Sequence, residues 1–329
     1  MTSLPERNPW VDEYQTRVGF ALQTFALPGD PEPGTKVIRA GILADEVGLD
    51  GFFIGDHPGY ATEPWLHLTV VATQTERIRL GSIVHCASYR RPAMLARLAA
   101  DFDQISRGRL VLGLGIGWNV EEFAQLGITF GSIRDRQEAL EEYIAIVNGV
   151  WGADPLTYAG KHWRTEEGHV VPGPMQSPRP PLIIAGAGEK VTWRQVAQYA
   201  DACNFGPGRN TGAARSAEEI LRKFQVLRNH CEQLGRNYDD ILRSHYTSWL
   251  MIAETEKAAK AKLDHYYPNG LTTEQRITRI VGTPDQIASY YQELVDVGMQ
   301  YFVCQVLDAG DEETIRLLAT GVVPMIKKP

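Results

Sequence analysis

Eight short apolar segments alternate with longer amphipathic segments over most of this 329-residue chain. The predicted strands are Val18–Gln23, Gly51–Ile54, Arg79–Val84, Leu110–Leu114, Leu182–Ala185, Ala202–Phe205, Ser244–Ile252 and Tyr301–Val306. The predicted helices are Lys36–Val47, Pro64–Thr75, Pro92–Ser106, Asp135–Trp151, Lys190–Tyr199, Ser216–Leu234, Pro284–Val297 and Glu312–Leu318. Such alternation predicts a parallel sheet, and eight units in one series predict a closed (β/α)8 TIM barrel.

The chain is longer than the roughly 250 residues of a simple barrel. We therefore predict a single domain over residues 1–329, with the surplus in three insertions at residues 152–181, 206–215 and about 264–280. The first insertion is rich in Gly, Pro and aromatic residues and precedes the fifth strand. We interpret it as a lid that excludes water from an active site.

Composition removes several classes of function. A formal net charge of −7 is the opposite of what a general nucleic-acid binder carries. No apolar run reaches the roughly 18 residues of a membrane span, and the polar start MTSLPERNPW has no apolar signal-peptide core. The four cysteines form no CxxC pair, and no HExxH motif is present, so we predict neither a disulfide framework nor a metal site. These features indicate a cytoplasmic enzyme that acts on small molecules.

In a TIM barrel the chemistry is expected at the carboxyl ends of the strands. Asp56 and His57 follow the second predicted strand directly. A histidine can act as a general base near neutral pH, and a neighbouring carboxylate can fix its tautomer. The plainer interpretation is a turn-capping Asp beside a solvated His. Because the pair stands at a strand end, we select His57, supported by Asp56, as the catalytic candidate.

The third and fourth strands end in residues suited to a flat ligand. Val84 and His85 begin a loop of small residues that either forms a wall against a ring or leaves His85 as an ordinary core histidine. After the fourth strand come Gly115 and Gly117, whose lack of side chains lets backbone approach a ligand. They are followed by Trp118 and Asn119, a stacking plane and an amide. The glycine spacing does not match the dinucleotide fingerprint GxGxxG.

The fifth strand runs into the glycine-rich segment Gly186-Ala187-Gly188, which opens the next predicted helix. Free N–H groups at a helix start form an anion site, and barrels often bind phosphate on a late loop of this kind. The segment therefore predicts a phosphate site, with a plain glycine-rich turn as the alternative. It is not a Walker A motif, since no GKS or GKT follows.

Together these motifs resemble one known family, the bacterial-luciferase-like flavin oxidoreductases, and within it the branch that uses the deazaflavin coenzyme F420. The resemblance runs from about residue 18 onward. It is carried by Gly55-Asp56-His57, LGSIVHCASYRRPAMLA (80–96), GRLVLGLGIGWNVEEFAQLGI (108–128), PPLIIAGAGEK (180–190), YADACN (199–204) and VGTPDQIA (281–288).

The resemblance implies a luciferase-like TIM barrel, usually a homodimer, with coenzyme F420 in the barrel mouth. It places the coenzyme phosphate on Gly186, Ala187 and Gly188 and a bulged, often cis, peptide at Ile83 to His85 behind the ring. It also makes His57 the group that handles the substrate proton. One departure stands out: sugar-phosphate dehydrogenases of this branch have a Glu where this chain has Trp118.

The expected reaction is hydride transfer between F420 and a small alcohol, carbonyl compound or activated alkene, with Trp65, Trp118 and Tyr246 as candidate pocket walls. One alternative keeps the fold and replaces F420 by FMN, giving an oxygen-using monooxygenase supplied by a partner reductase. A second alternative is a non-catalytic flavin-binding barrel, which the intact Asp56-His57 motif disfavours.

Overall fold

The structure is a computed structural model that describes residues 4–328; the first three residues of the polar start and residue 329 lie outside the described part. Its strands are β1 (Gly19–Thr24), β2 (Gly51–Ile54), β3 (Arg79–Cys86), β4 (Leu110–Gly115), β5 (Leu156–Ala159), β6 (Arg164–Gly168), β7 (Leu182–Ala185), β8 (Ala202–Phe205), β9 (Leu242–Ile252), β10 (Ile280–Gly282) and β11 (Tyr301–Val306). Its α-helices are α1 (Pro9–Asp12), α2 (Pro33–Glu46), α3 (Pro64–Gln74), α4 (Pro92–Ile105), α5 (Val120–Gln125), α6 (Ile133–Gly149), α7 (Thr192–Tyr199), α8 (Ala217–Leu234), α9 (Glu256–Tyr266), α10 (Thr273–Thr278), α11 (Pro284–Asp296) and α12 (Glu312–Leu317). Short 3₁₀ turns lie at Tyr238–Asp240 and Val323–Met325, and a π-helical turn at Leu318–Val322.

Eight strands pair in parallel to form a closed barrel in the order β1, β2, β3, β4, β7, β8, β9, β11. Closure is made by β11, which pairs with β1 from Gly19 opposite Tyr301 to Thr24 opposite Val306. The short strand β10 pairs with the end of β9, outside this ring. The predicted (β/α)8 barrel is confirmed, since each of the eight predicted strands is a barrel strand.

Alternate side chains of each strand enter two separate apolar layers, as a barrel requires. Phe53 and Val303 point into the barrel, whereas Phe52 and Phe302 pack outward against the helices. The amino-terminal end of the barrel is closed by α1, where the Trp10 ring lies 5.5 Å from that of Tyr301. The opposite, carboxyl-terminal end is left for a site.

The chain between α6 and β7 contains the hairpin of β5 and β6, which packs on the outer side of α6. The backbone amides of Lys161, His162 and Trp163 all donate to the Glu142 carboxylate at 2.8 Å. No residue of 152–181 lines the main cavity described below. The prediction that this insertion forms a lid is therefore wrong, because Glu142 holds it against the helix layer.

The other two insertions do reach the barrel mouth. Arg209, in the 206–215 segment, donates its backbone N–H to Glu274 of α10 at 3.2 Å, and the Arg215 guanidinium contacts the second oxygen of the same carboxylate at 3.3 Å. Glu274 thus joins two segments that are far apart in sequence. Within residues 4–328, no helix combines the length and apolarity needed to cross a bilayer.

Candidate active site

A cavity of about 1060 Å³ opens at the carboxyl ends of the barrel strands. Every barrel strand or the loop after it contributes to the wall, in chain order through Gln23, Asp56, Val84, Gly115, Ala185, Asn204, Tyr246 and Gln305. A second cavity of about 230 Å³ lies between α8 and α11, on the outer side of β9. The larger cavity is the candidate active site, because it collects the strand-end residues and is large enough for a coenzyme with a small substrate.

His57 lies in the wall of this cavity with its side chain about one fifth exposed. Its Nδ1 lies 3.1 and 3.2 Å from the two carboxylate oxygens of Glu122. The Tyr60 ring stacks on the imidazole with 4.7 Å between centroids and 17° between planes. The ring is therefore held at one edge and one face, and a polar edge of it remains for a ligand.

Asp56, the predicted partner of His57, binds other groups. Its carboxylate accepts two hydrogen bonds from the Arg90 guanidinium, at 2.6 and 3.1 Å, and lies 3.4 Å from Nδ1 of His85. Burial alone would raise the pKa of Asp56, but the hydrogen bonds and charges of His85 and Arg90 outweigh it and hold that pKa well below its usual range. The prediction that Asp56 supports His57 is wrong, because adjacent residues at this turn point to different partners.

The carboxyl-terminal half of β3 shows the bulge that the resemblance implied. The Ile83–Val84 peptide bond is cis, and the pairing of β3 with β4 shifts register between Ser82 and His85. Ile83 and Val84 line the cavity. Their predicted contact with a coenzyme ring stays a prediction. His85 turns away from the cavity and stacks on Trp65, 4.7 Å between centroids. The core alternative was therefore the correct one for His85, and Trp65 is not a pocket wall.

Two glycines at the carboxyl end of β4, Gly115 and Gly117, make room for the bulged end of β3. A Cβ on Gly115 would lie 2.7 Å from Cγ2 of Val84. Gly117 has φ +73°, and a Cβ there would lie 2.6 Å from Sγ of Cys86. Both glycines line the cavity, as does Trp118, whose side chain is half exposed. The sequence prediction that backbone approaches the site closely here agrees with the geometry.

Asn119 does not contribute its amide to the cavity. Its side-chain oxygen accepts a hydrogen bond from the backbone N–H of Glu121 at 3.1 Å, which caps the amino end of α5. This cap places Glu122 in the first turn of α5 with its side chain directed at His57. The predicted role of Asn119 in cofactor binding is therefore replaced by a capping role, since its acceptor is used within the helix.

The loop after β7 only partly matches the predicted phosphate site. Gly186, at φ +125°, lines the cavity, but its N–H donates to the Asn204 carbonyl at 2.9 Å as part of the sheet. Among the described residues, we find no acceptor for the N–H groups of Ala187 and Gly188. The Gly186 amide is thus excluded from phosphate binding, and α7 begins at Thr192, two residues later than predicted.

Two buried side chains in the cavity wall have unused hydrogen-bonding capacity. Oε1 of Gln23 and Oε1 of Gln137 accept no hydrogen bond in the described part of the chain. Their amide nitrogens are both used, on the Ile83 carbonyl at 3.1 Å and on Thr192 Oγ1 at 3.0 Å. Because buried polar atoms are normally paired, these two acceptors fit a ligand with N–H or O–H donors on two sides.

Sequence reasoning missed Glu122, Tyr60 and Tyr89. Tyr89 donates its hydroxyl to Glu122 Oε2 at 3.0 Å. An acid three residues after an Asn normally indicates a capping box at a helix start. The one signal in the sequence that could have identified Glu122 was its position, because it follows the loop after β4 at the catalytic end of the barrel.

Two of the three predicted pocket walls, Trp118 and Tyr246, line the cavity, and Tyr246 also donates to Gln305 Oε1 at 2.6 Å.

The barrel, its bulged third strand and its histidine-bearing mouth define a luciferase-like protein. The chain belongs to the luciferase-like monooxygenase family, whose model matches residues 16–279. It is 25% identical over 328 residues to an F420-dependent glucose-6-phosphate dehydrogenase of Microbacterium testaceum, covering 89% of this chain and 94% of the relative.

Solved structures of the same fold use two different coenzymes. The coenzyme F420-dependent tetrahydromethanopterin reductase of Methanopyrus kandleri superimposes with a TM-score of 0.79 at 21% identity, over 95% of this chain and all of that one. The oxygenating constituent of 3,6-diketocamphane monooxygenase of Pseudomonas putida, in complex with FMN, gives 0.77 at 18% identity over 95% of this chain and all of that one. At these identities the similarity establishes the fold.

Proposed function

We propose that the chain is an F420-dependent oxidoreductase that transfers a hydride between the deazaflavin and a small alcohol, carbonyl compound or activated alkene. The observation that carries this proposal is the position of His57 in a coenzyme-sized cavity. The choice of F420 rests on the dehydrogenase of Microbacterium testaceum, to which the similarity extends over 89% of this chain.

The residues present fit such a coenzyme. Val84 and Gly115 give an apolar surface for one ring face, and the free Gln23 and Gln137 oxygens fit ring and sugar donors. When bound, the coenzyme supplies a carbon that accepts or returns a hydride in a two-electron step. The protein holds the substrate over the ring and handles the proton at His57.

The anionic end of the coenzyme is proposed to bind after β7. The amides of Ala187 and Gly188 are free to donate, and the buried Lys223 already reaches this loop by donating to the Ala187 carbonyl at 3.3 Å. A sugar phosphate is not the proposed substrate. Trp118 stands where the sugar-phosphate dehydrogenases of this branch have a glutamate, and it exposes half of its side chain there.

Titration of the purified protein with F420 and, separately, with FMN tests the choice of coenzyme. We expect F420 to bind at least about tenfold more tightly, a difference of about 1.4 kcal/mol. Titration calorimetry measures the dissociation constants of both coenzymes. FMN binding without F420 binding would overturn the proposal in favour of the monooxygenase alternative. Screening F420 reduction by secondary alcohols, and oxidation of reduced F420 by enones and nitro compounds, then identifies the substrate class.

A matched pair of glycine variants tests where the coenzyme lies. The Cβ of Gly115→Ala would lie 2.7 Å from Cγ2 of Val84 and force this part of the cavity wall to shift, so we expect weaker F420 binding. Gly131→Ala adds the same methyl group outside the cavity, where the nearest atom is 3.5 Å away, and is expected to leave the affinity unchanged. Equal affinities for the two variants would contradict the proposed ring position.

We also propose a homodimer, as the family resemblance implies. Leu66 and Val70 on α3 and Met94 on the neighbouring α4 are exposed apolar residues on the outer surface. Light scattering after size exclusion should give twice the chain mass, and Leu66→Glu with Met94→Glu should give the single-chain mass. A single-chain mass for the unmodified protein at all concentrations would contradict the dimer.

The four cysteines support the proposal of a reducing, cytoplasmic location. Cys86, Cys203, Cys231 and Cys304 are all free and buried. Burial is the largest influence on each of these thiols and raises the pKa of Cys203 to about 11. The thiols are therefore packing groups rather than nucleophiles.

A further inference from the structure

Glu122 is the buried acid that the reaction proposed above does not yet explain. Its side chain is 3% exposed, and its carboxylate contacts two groups, Nδ1 of His57 and the hydroxyl of Tyr89. A buried carboxylate is costly unless it is paired and hydrogen-bonded. Both of its partners line the same cavity, so the acid is held at the site rather than in the general core.

We infer that Glu122 fixes the tautomer of His57, with the proton on Nδ1 and the lone pair on Nε2, and thereby sets the site to accept the proton of a substrate hydroxyl group. The tautomer of His57 follows from the chemistry of the Glu122 carboxylate, which can only accept a hydrogen bond. A carboxylate has no hydrogen to donate, so the contact at 3.1 Å is a hydrogen bond only if Nδ1 carries the proton. In a neutral imidazole the other nitrogen is then an acceptor.

The surrounding residues leave Nε2 as the reactive atom. The Tyr60 ring covers one face of the imidazole, and the Phe25 ring meets it edge-on at 6.2 Å. No hydrogen-bond partner for Nε2 is found in the described residues. Tyr89 donates to the carboxylate and so keeps it from rotating away from His57. Glu122 and Tyr89 are positioning residues that act through His57.

The proton acceptor at Nε2 defines the substrate class, a step that rests on the proposed function. In alcohol oxidation a bound deazaflavin would supply the acceptor for the hydride of the C–H bond, and Nε2 of His57 would accept the proton of the O–H bond. The electrons would then balance, because the substrate would form its C=O double bond by losing the two electrons that the coenzyme takes up. The imidazolium that results lies against the Glu122 carboxylate, which stabilises the charge. A secondary alcohol therefore fits this resting state better than an alkene does.

Nitrogen NMR of histidine-labelled protein tests the tautomer without coenzyme or substrate. We expect His57, assigned by comparison with His57→Gln, to show a protonated Nδ1 and an unprotonated Nε2. Glu122→Gln replaces the acceptor with an amide that can either accept from Nδ1 or donate to it, so a mixture of tautomers is expected. The opposite tautomer in the unmodified protein, or an unchanged spectrum in Glu122→Gln, would overturn the inference.

Single-turnover reduction of F420 by a secondary alcohol tests the consequence. Glu122→Gln is expected to slow the step by about 10²-fold or more, as the wrong tautomer does in acid–histidine dyads, while F420 affinity stays unchanged. Glu121→Gln is the matched control, because that glutamate is exposed in the same helical turn. Tyr89→Phe keeps the Glu122 carboxylate and is expected to slow the step less than Glu122→Gln does.

The outcomes separate the inference from the proposed function. A failure to bind F420 would refute the proposed coenzyme, while the NMR result would still decide the tautomer. Full activity in Glu122→Gln, with activity lost in His57→Gln, would overturn the positioning role. A loss of rate in Glu121→Gln equal to that in Glu122→Gln would show that only the stability of α5 matters, and would also overturn it.

Discussion

Replacement of His57 by glutamine is expected to lower the rate of hydride transfer by about 10²–10⁴-fold, the usual contribution of a general acid or base. Glutamine fills similar space but takes up no proton near neutral pH. Because the imidazole lies in the cavity wall and holds no part of the β7 loop, coenzyme affinity should change little. Stopped-flow reduction of F420 by the alcohol identified in the screen measures the rate, and calorimetry the affinity.

His169→Ala is the matched control for this experiment. His169 is an exposed histidine on the insertion before β7, on the outside of the barrel and away from the cavity. The His169→Ala variant should show the same rate of hydride transfer and the same F420 affinity as the unmodified protein. Unchanged turnover in His57→Gln would refute the role given to His57. Absence of turnover in every protein, with F420 bound, would favour the non-catalytic flavin-binding barrel.

Asp56→Asn is expected to destabilise the fold by about 1–3 kcal/mol, the cost of removing a buried, charged hydrogen-bond acceptor from its donors. Its carboxylate is 4% exposed and accepts two hydrogen bonds from Arg90, so the substitution removes the buried charge partner of that guanidinium and leaves only the exposed carboxylate of Glu63, at 3.0 Å. Denaturant unfolding measures the loss. Asp101→Asn is the control, since its pair with Arg97 is exposed and is expected to contribute at most about 0.5 kcal/mol.

The lowered pKa of Asp56 also predicts that the free energy of unfolding depends on pH. The pKa of Asp56 in the folded protein lies below its value of about 3.9 in an unfolded chain. Its contribution to the free energy of unfolding is therefore complete above about pH 4 and is lost as the pH falls towards the folded pKa. The stability difference between the unmodified protein and Asp56→Asn should shrink over that range. A difference that stays constant down to acid pH would contradict the assignment.

The eight barrel strands were predictable because each is a short apolar run bounded by turn residues and followed by a helix. The position of the 152–181 insertion was not predictable, because it depends on Glu142, a helix residue that accepts hydrogen bonds from three backbone N–H groups of the hairpin. The helix start at Val120 was also missed, because only the Asn119 cap marks a helix of six residues.

For the candidate active site, residue types in the sequence predicted correctly those cavity residues whose position is set by the backbone. Gly115 and Gly117 line the cavity because strand ends and left-handed turns follow from local sequence. The prediction failed for Asp56, which binds Arg90 rather than His57. Side-chain partners at adjacent positions of a turn depend on which neighbouring loop each side chain meets.

The sequence by itself determined the barrel, the face on which the chemistry lies and the histidine that lies there, because periodicity and strand ends are local properties. Only the tertiary structure decided which acid accompanies that histidine. Glu122 lies 65 residues from His57 along the chain, and its carboxylate meets Nδ1 at 3.1 Å because β2 and β4 both pair in parallel with β3, which brings their carboxyl ends to one rim. That contact is a long-range one that no local pattern encodes.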